Sequence, residues 1–139
     1  LSFPNGTVIT PDGGTLVVAE TFAGRLTAFD IVANGDLENR RLWGQLPAGT
    51  APDGICLDAQ GAIWAASPPT NECLRLAEGG EILERIQFDQ GAYACMIGGT
   101  DTPLLFVMTS PSSSPAECHA LRGARVETAP VPVAGAGYP

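Results

Sequence analysis

The sequence predicts an all-β protein, a β-propeller of about three four-stranded blades. Short runs of β-forming residues alternate with turn signals throughout the chain, which has 17 Gly and 12 Pro in 139 residues. The 3.6-residue periodicity of amphipathic helices is hard to find. The same order of strands and turns recurs at a period of tens of residues, which is typical of a radial repeat rather than a sandwich.

The first unit, about residues 1–48, contains four predicted strands. They are residues 7–10, 15–21, 25–30 and 37–46. Pro11-Asp12-Gly13-Gly14 separates the first two, because Pro presets φ and Gly tolerates a positive φ. Residues 25–30 alternate apolar and polar side chains, the mark of a strand with one buried face. Four short strands of this kind make one propeller blade.

The second unit, about residues 49–90, repeats this order, and the third unit, about residues 91–139, does so less clearly. The second unit has predicted strands at residues 55–58, 62–67, 72–76 and 81–88, and the third at 93–97, 104–109, 117–121 and 125–128. Residues 131–139 form a Gly/Pro-rich tail. Propellers typically close with four to eight blades. We therefore expect either part of a longer chain or self-association through the open blade edges.

Charge and composition exclude several classes of function. The net charge is −8 and the chain has no Lys. An acidic chain without Lys argues against nucleic-acid binding and excludes a P-loop, a Schiff-base lysine and a Ser-Lys dyad. Acidity suits cation binding and simple solvation alike. No stretch is apolar enough to span a membrane and no basic leader precedes an apolar run, so we expect a cytoplasmic protein. The first residue is Leu1, which leaves an upstream segment open.

The cysteines and the single histidine favour structural roles. The four cysteines match no zinc signature, and Cys56 and Cys95 lie in apolar runs typical of a buried core. His119 is the only His and lies in a predicted strand with no nucleophile motif nearby, so we interpret it as structural or exposed. Trp43 and Trp64 are predicted to lie in the core.

Pro4-Asn5-Gly6 and its echo Pro52-Asp53-Gly54 begin the first two units. Asn and Asp supply the hard oxygens that Ca²⁺, Mg²⁺ and Mn²⁺ prefer and that Zn²⁺ accepts. Plain turn residues are the alternative, and Pro11-Asp12-Gly13 exemplifies it. Tyr93 is the third unit's equivalent position, where it would either line a channel or pack. We expect four further residues to be structural and do not assign them to the site: Asp58, Thr21, Ser67 and Thr109.

The chain resembles the C-terminal half of the gluconolactonase, regucalcin (senescence marker protein) and luciferin-regenerating enzyme family, whose members are six-bladed propellers. The resemblance covers nearly the whole chain. The matching segments are residues 3–6, 11–21, 25–30, 35–41, 51–58, 61–66 and 98–101, and the tail 134–139. Half of a six-bladed propeller is therefore the expected fold.

This resemblance implies a divalent-metal-dependent lactonase that acts on a sugar lactone or similar small lactone. It implies Asn5 and Asp53 as metal ligands and Asp53 as the catalytic general base, with calcium expected first and zinc, magnesium or manganese as alternatives. The family's remaining Glu ligand and substrate-contacting Arg and Asn belong to its N-terminal half, so substrate-binding residues stay unassigned. Two protein oxygens predict weak metal affinity for this chain alone. The alternatives are a non-catalytic propeller for binding or scaffolding, and a strictosidine-synthase-like or arylesterase-like propeller.

Overall fold

A computed structural model describes residues 1–99 and 101–137. Within these residues, eleven strands form three antiparallel sheets that follow one another along the chain. Thr100, which belongs to a segment of the family resemblance, and Tyr138 and Pro139 of its tail lie outside the described residues. Across residues 1–99 and 101–137, no helix is long and apolar enough to cross a membrane.

The first sheet has four strands in sequential order, as predicted. They are β1 (Pro4–Ile9), β2 (Thr15–Glu20), β3 (Arg25–Ile31) and β4 (Leu37–Gln45). The turn before β2 is held by Asp12, whose carboxylate accepts hydrogen bonds from the Thr10 hydroxyl at 2.6 Å and the Gly14 amide at 2.9 Å. Each strand therefore returns beside the one before it, as in an antiparallel meander.

The second sheet repeats this arrangement. It consists of β5 (Ile55–Leu57), β6 (Ile63–Ser67), β7 (Glu72–Leu76) and β8 (Ile82–Gln87). Every residue of β6 and β7 is buried, because this sheet is covered on both faces. One apolar cluster joins it to the first sheet through residues such as Leu26, Trp43 and Leu74. A second cluster, which includes Trp64 and Leu105, joins it to the third sheet.

The third sheet has three strands, so the prediction of a four-stranded third unit is wrong. Its strands are β9 (Gly91–Gly98), β10 (Leu104–Ser110) and β11 (Arg125–Pro130), in the order β11-β10-β9. Residues 117–121, predicted as a strand, lie instead in the helix α1 (Pro115–Leu121). Ser114 occupies the N-cap position, Pro115 begins the helix, Glu117 lies in its first turn and Arg122 ends it in the left-handed conformation. This Ser-Pro-x-Glu order is a helix-start signal that the strand prediction overlooked.

Candidate functional site

The first strands of the three sheets lie side by side and begin at the same end of the molecule. The Gly6 amide donates to the Asp53 carbonyl oxygen at 3.0 Å, and the Gly54 amide donates to the Tyr93 carbonyl oxygen at 2.9 Å. The same hydrogen bond thus links β1 to the residues before β5, and those residues to β9. Asn5, Asp53 and Tyr93 consequently occupy equivalent places on three neighbouring segments.

Glycine follows each of the two candidate ligands because neighbouring backbones approach too closely for a side chain. A Cβ on Gly6 would lie 2.5 Å from the Asp53 carbonyl oxygen and 2.6 Å from the Ile55 nitrogen. A Cβ on Gly54 would lie 2.7 Å from the Ala94 Cα. Neither glycine has a positive φ. The two glycines therefore permit close contact between the sheets rather than a left-handed backbone conformation.

Thr21 fixes the candidate ligand Asn5 in place, although the sequence indicated only a structural hydroxyl. The Asn5 Nδ2 donates to Thr21 Oγ1 at 3.4 Å, and Thr21 Oγ1 donates to the Pro52 carbonyl oxygen at 2.8 Å. This relay joins Asn5 to the residue before Asp53. It also directs the amide nitrogen toward Thr21, which leaves Oδ1 as the atom suited to a cation. The sequence feature that points to Thr21 is the hydroxyl residue that recurs near the end of the second strand of each sheet, as Thr21, Ser67 and Thr109.

Asp53 is half-buried, and its backbone amide donates to the Ala66 carbonyl oxygen at 2.9 Å. Burial raises the pKa of Asp53, whereas the hydrogen bond from the Asn5 side chain lowers it and only partly offsets burial. Asn5 therefore lies close enough to affect the pKa of Asp53, and the roles of the two residues as metal ligands stay predictions. A carboxylate whose pKa is raised is a better proton acceptor than one free in water.

Tyr93 packs rather than adding a third oxygen to this pair. A Cβ on Gly91 would lie 3.0 Å from the Tyr93 Cε2, so the ring covers that glycine. Tyr93 also lines an apolar groove with Met108 and Val126 on the third sheet. Packing was one of the two alternatives left open by the sequence.

The donor set fits part of a hard-cation site. Asn5 and Asp53 offer an amide and a carboxylate oxygen on adjacent segments, and both types suit Ca²⁺, Mg²⁺ or Mn²⁺. In the part of the chain that the structure describes, no group of three or more His, Cys, Asp or Glu side chains is placed to hold a metal ion. A cation held by Asn5 and Asp53 would therefore need further ligands from outside this group of residues.

The cavity between the first strands lies at their opposite end. Its lining includes Val8, Cys56, Met96 and Ala136, and contains neither Asn5 nor Asp53. The tail closes over this end, since Ala136 donates to the Leu57 carbonyl oxygen at 3.0 Å. The cavity therefore gives no support to a site at the end where Asn5 lies.

Cys56 and Cys95 are core residues. Cys56 and Cys95 are buried, as predicted, with their sulfurs 3.8 Å apart. The hydrogen bond to Cys95, together with burial, raises the pKa of Cys56, so the thiol form prevails at neutral pH. His119 is exposed on α1 rather than on the predicted strand.

Asp58 is structural, as expected. It is buried, and its carboxylate accepts hydrogen bonds from the Gln60 and Ala62 amides at 2.8 and 3.0 Å and from Arg75 at 2.7 Å. Both of its carboxylate oxygens accept hydrogen bonds from residues of its own sheet. It holds the turn between β5 and β6 and is not available to a ligand.

Comparison with known proteins identifies the type of domain. A family model described as "SMP-30/Gluconolactonase/LRE-like region" matches residues 1–111. A curated relative, the 6-deoxy-6-sulfogluconolactonase of Pseudomonas putida, is 27% identical over 117 residues, which cover 81% of this chain and 40% of the relative. The chain thus spans about two fifths of the length of that relative.

Solved structures show the same fold. A gluconolactonase from Xanthomonas campestris is 29% identical with a TM-score of 0.68, over 80% of this chain and 36% of that one. A luciferin-regenerating enzyme is 18% identical with a TM-score of 0.79, over 95% and 46% of the two chains. The calcium-binding protein regucalcin from Agrobacterium tumefaciens is 21% identical with a TM-score of 0.71, over 97% and 47%.

Proposed function

The chain belongs to the SMP-30/gluconolactonase/LRE-like family, and on that premise we propose that it supplies part of the active site of a metal-dependent lactone hydrolase. One observation carries the proposal. The Gly6–Asp53 hydrogen bond and the Thr21 relay join the segment that carries Asn5 to the segment that carries Asp53, which supports a shared site. Two relatives with lactonase names, at 27% and 29% identity, support the same reaction.

Asn5 Oδ1 and the Asp53 carboxylate would hold the divalent cation, with calcium as the first expectation and magnesium, manganese or zinc as alternatives. A cation bound there would polarise a lactone carbonyl and acidify a bound water. Calcium takes about six to eight oxygen ligands, so two protein oxygens give weak affinity and the remaining ligands come from outside the described residues. Regucalcin's description as a calcium-binding protein supports the choice of calcium.

Asp53 would act as the general base. Its carboxylate accepts a proton from water while the water oxygen attacks the lactone carbonyl carbon. The ring C–O bond then breaks, the ring oxygen takes up the proton that Asp53 accepted from water, and a hydroxy acid leaves. Burial, which raises the pKa of Asp53, favours this proton transfer, and the Asn5 amide keeps the carboxylate facing the same point. The substrate class is a sugar lactone or similar small cyclic ester.

A lactonase assay on the complete protein tests the proposal, with and without EDTA and with re-added Ca²⁺. Asp53→Asn should lower kcat by a factor of about 10² or more, because an amide cannot accept the proton. Asp12→Asn is the matched control, since Asp12 lies in the same Pro-Asp-Gly sequence but holds an exposed turn. Equal activity of Asp53→Asn and the wild type, or full activity in EDTA, would refute the proposed roles. Ligand binding without hydrolysis of any lactone would favour the non-catalytic binding module.

A further inference from the structure

Two aromatic rings, those of Phe3 and Phe22, are exposed to solvent near Asn5 and Thr21 in the chain. Phe3 is 54% exposed and Phe22 is 75% exposed, and their ring centroids are 4.5 Å apart with planes tilted by 31°. No other large hydrophobic side chain among residues 1–99 and 101–137 is as exposed as Phe22. Since a buried Phe stabilises a fold by about 1.5–3 kcal/mol, an exposed pair contributes far less to the core.

The backbone around both rings is held by hydrogen bonds and local geometry. The Thr21 amide donates to the Phe3 carbonyl oxygen at 3.1 Å, and the Ser2 amide donates to the buried Glu20 carboxylate at 2.5 Å. Phe3 has a φ of 58°, a left-handed conformation that is strained for an aromatic residue. Phe22 lies in a single 3-10 turn, Thr21–Ala23. The pair is therefore fixed by the surrounding backbone, and such strain often accompanies a binding site.

The pair adjoins the candidate ligands through Thr21. Phe22 follows Thr21 directly in the chain, and Thr21 receives the hydrogen bond of the Asn5 amide. Phe3 precedes Asn5 by two residues. Phe3 and Phe22 thus lie on the two segments that carry Asn5 and its hydrogen-bond partner Thr21.

We propose that Phe3 and Phe22 form the apolar wall of the substrate site, which we call the aromatic platform. This inference rests on the proposed lactonase function. A cyclic ester has a polar edge, formed by its carbonyl and hydroxyl oxygens, and a ring face of C–H bonds. The platform contacts that C–H face while the carbonyl is directed at Asn5 and Asp53. Aromatic faces attract such C–H groups, and the contact orients a small ring that Asn5 and Asp53 hold at one edge only.

Phe22→Ala in the complete protein tests this assignment with D-glucono-1,5-lactone as the probe. Removing a contact that is made equally in the ground state and the transition state raises KM, here by roughly three- to tenfold, and leaves kcat within about twofold. Phe22→Leu keeps apolar area without an aromatic face and should fall between Ala and the wild type. Val126→Ala, at a side chain that is 68% exposed on the third sheet, is the control and should leave KM unchanged.

The outcomes separate this inference from the proposed function. Unchanged KM in both Phe22→Ala and Phe3→Ala, with an active wild type, overturns the platform and leaves the lactonase standing. A fall in kcat alone also overturns it, because that result means the rings only position Asn5. If the wild type hydrolyses no lactone, the proposed function fails. NMR of ¹³C-labelled Phe rings with glucono-1,5-lactam, a ring amide that resists hydrolysis, then decides. Shifts confined to Phe3 and Phe22 support the platform, and their absence refutes it.

Discussion

The Thr21 hydroxyl donates a hydrogen bond to the Pro52 carbonyl oxygen at 2.8 Å and so ties the first sheet to the residue before Asp53. The same hydroxyl accepts the Asn5 amide at 3.4 Å. One side chain therefore contacts the proposed ligand Asn5 and the backbone next to the proposed ligand Asp53, without being a proposed ligand itself. Its removal should separate the structural cost of the relay from the chemistry of the ligands.

Thr21→Val should lower both stability and activity. Valine has nearly the same shape but leaves the buried Pro52 carbonyl without its donor, at a cost of about 1 kcal/mol. It also frees the Asn5 amide to rotate, so kcat should fall several-fold. Thr21→Ser retains the hydroxyl and should restore most of the activity. Urea unfolding and lactone hydrolysis measure the two effects, and a Ser variant as impaired as the Val variant would argue against the relay.

Gly6→Ala should damage the contact between the first two sheets. The new Cβ would lie 2.5 Å from the Asp53 carbonyl oxygen, so the hydrogen bond from Gly6 has to lengthen and β1 has to shift. We expect a loss of roughly 1–3 kcal/mol of unfolding free energy, together with activity. Gly14→Ala is the control, because the added Cβ would lie 3.4 Å from the Asp12 carboxylate, an ordinary contact distance. Equal stability of the two variants would contradict the close approach.

Most of the fold follows from local sequence signals. The strands of the first two sheets were predicted within a few residues because turns such as Pro11-Asp12-Gly13-Gly14 separate β-forming runs. The prediction of a fourth strand in the third unit is wrong because the repeat does not extend over residues 117–121. Those residues belong to the helix that Ser114 and Pro115 begin. Closure into a six-bladed ring, and self-association through open edges, stay predictions.

For the candidate site, the sequence predicts only which positions in the repeated units are equivalent. The equivalence of Asn5 and Asp53 follows from two similar tripeptides, but the contact between their side chains depends on how two sheets pack, which no local pattern encodes. Thr21 was missed as a partner for the same reason, since its acceptor at Pro52 is 31 positions away. Phe22 lies between two recognisable strands and gives no periodic signal.

Glu20 should make stability depend on acid pH. Burial raises its pKa, but hydrogen bonds from Arg25 and Thr27, and from the Ser2 amide, outweigh burial and lower the pKa to about 2 from an ordinary 4.5. The folded state therefore binds this proton less readily than the unfolded chain does. The stabilisation is fully present above about pH 4.5 and is lost as the pH falls from there to about 2.

Glu20→Gln removes this dependence. Because Arg25 and Arg40 then lose their shared carboxylate, we expect about 1–3 kcal/mol lower stability at pH 7 and a flatter profile between pH 4.5 and 2. Urea midpoints measured across that range provide the comparison. Glu78→Gln, in an exposed turn, is the control. A Glu20 variant whose midpoint still falls with acid as steeply as the wild type's would exclude this carboxylate as the cause.

The Asp58–Arg75 pair should be far more important to stability than the Asp30–Arg41 pair. The Asp58 and Arg75 side chains are 0% and 7% exposed, whereas those of Asp30 and Arg41 are 38% and 40% exposed. Asp58→Asn leaves the buried Arg75 guanidinium with only the partly exposed Glu84 carboxylate as a charge partner, which costs about 3 kcal/mol, the lower end for a broken buried pair. Asp30→Asn removes an exposed pair and should cost at most about 1 kcal/mol.

A double-mutant cycle distinguishes the loss of the pair from the loss of each residue's other contacts. Asp58 also accepts two backbone amides in the turn between β5 and β6, and Arg75 also donates to Glu84 and Gln60. Those contacts are absent from the Asp58–Arg75 coupling term, which we expect to be about 1–3 kcal/mol. Combining Asp58→Asn with Arg75→Met should therefore cost clearly less than the two single changes added. Strict additivity in urea unfolding would mean that the turn hydrogen bonds, and not the ion pair, make Asp58 necessary.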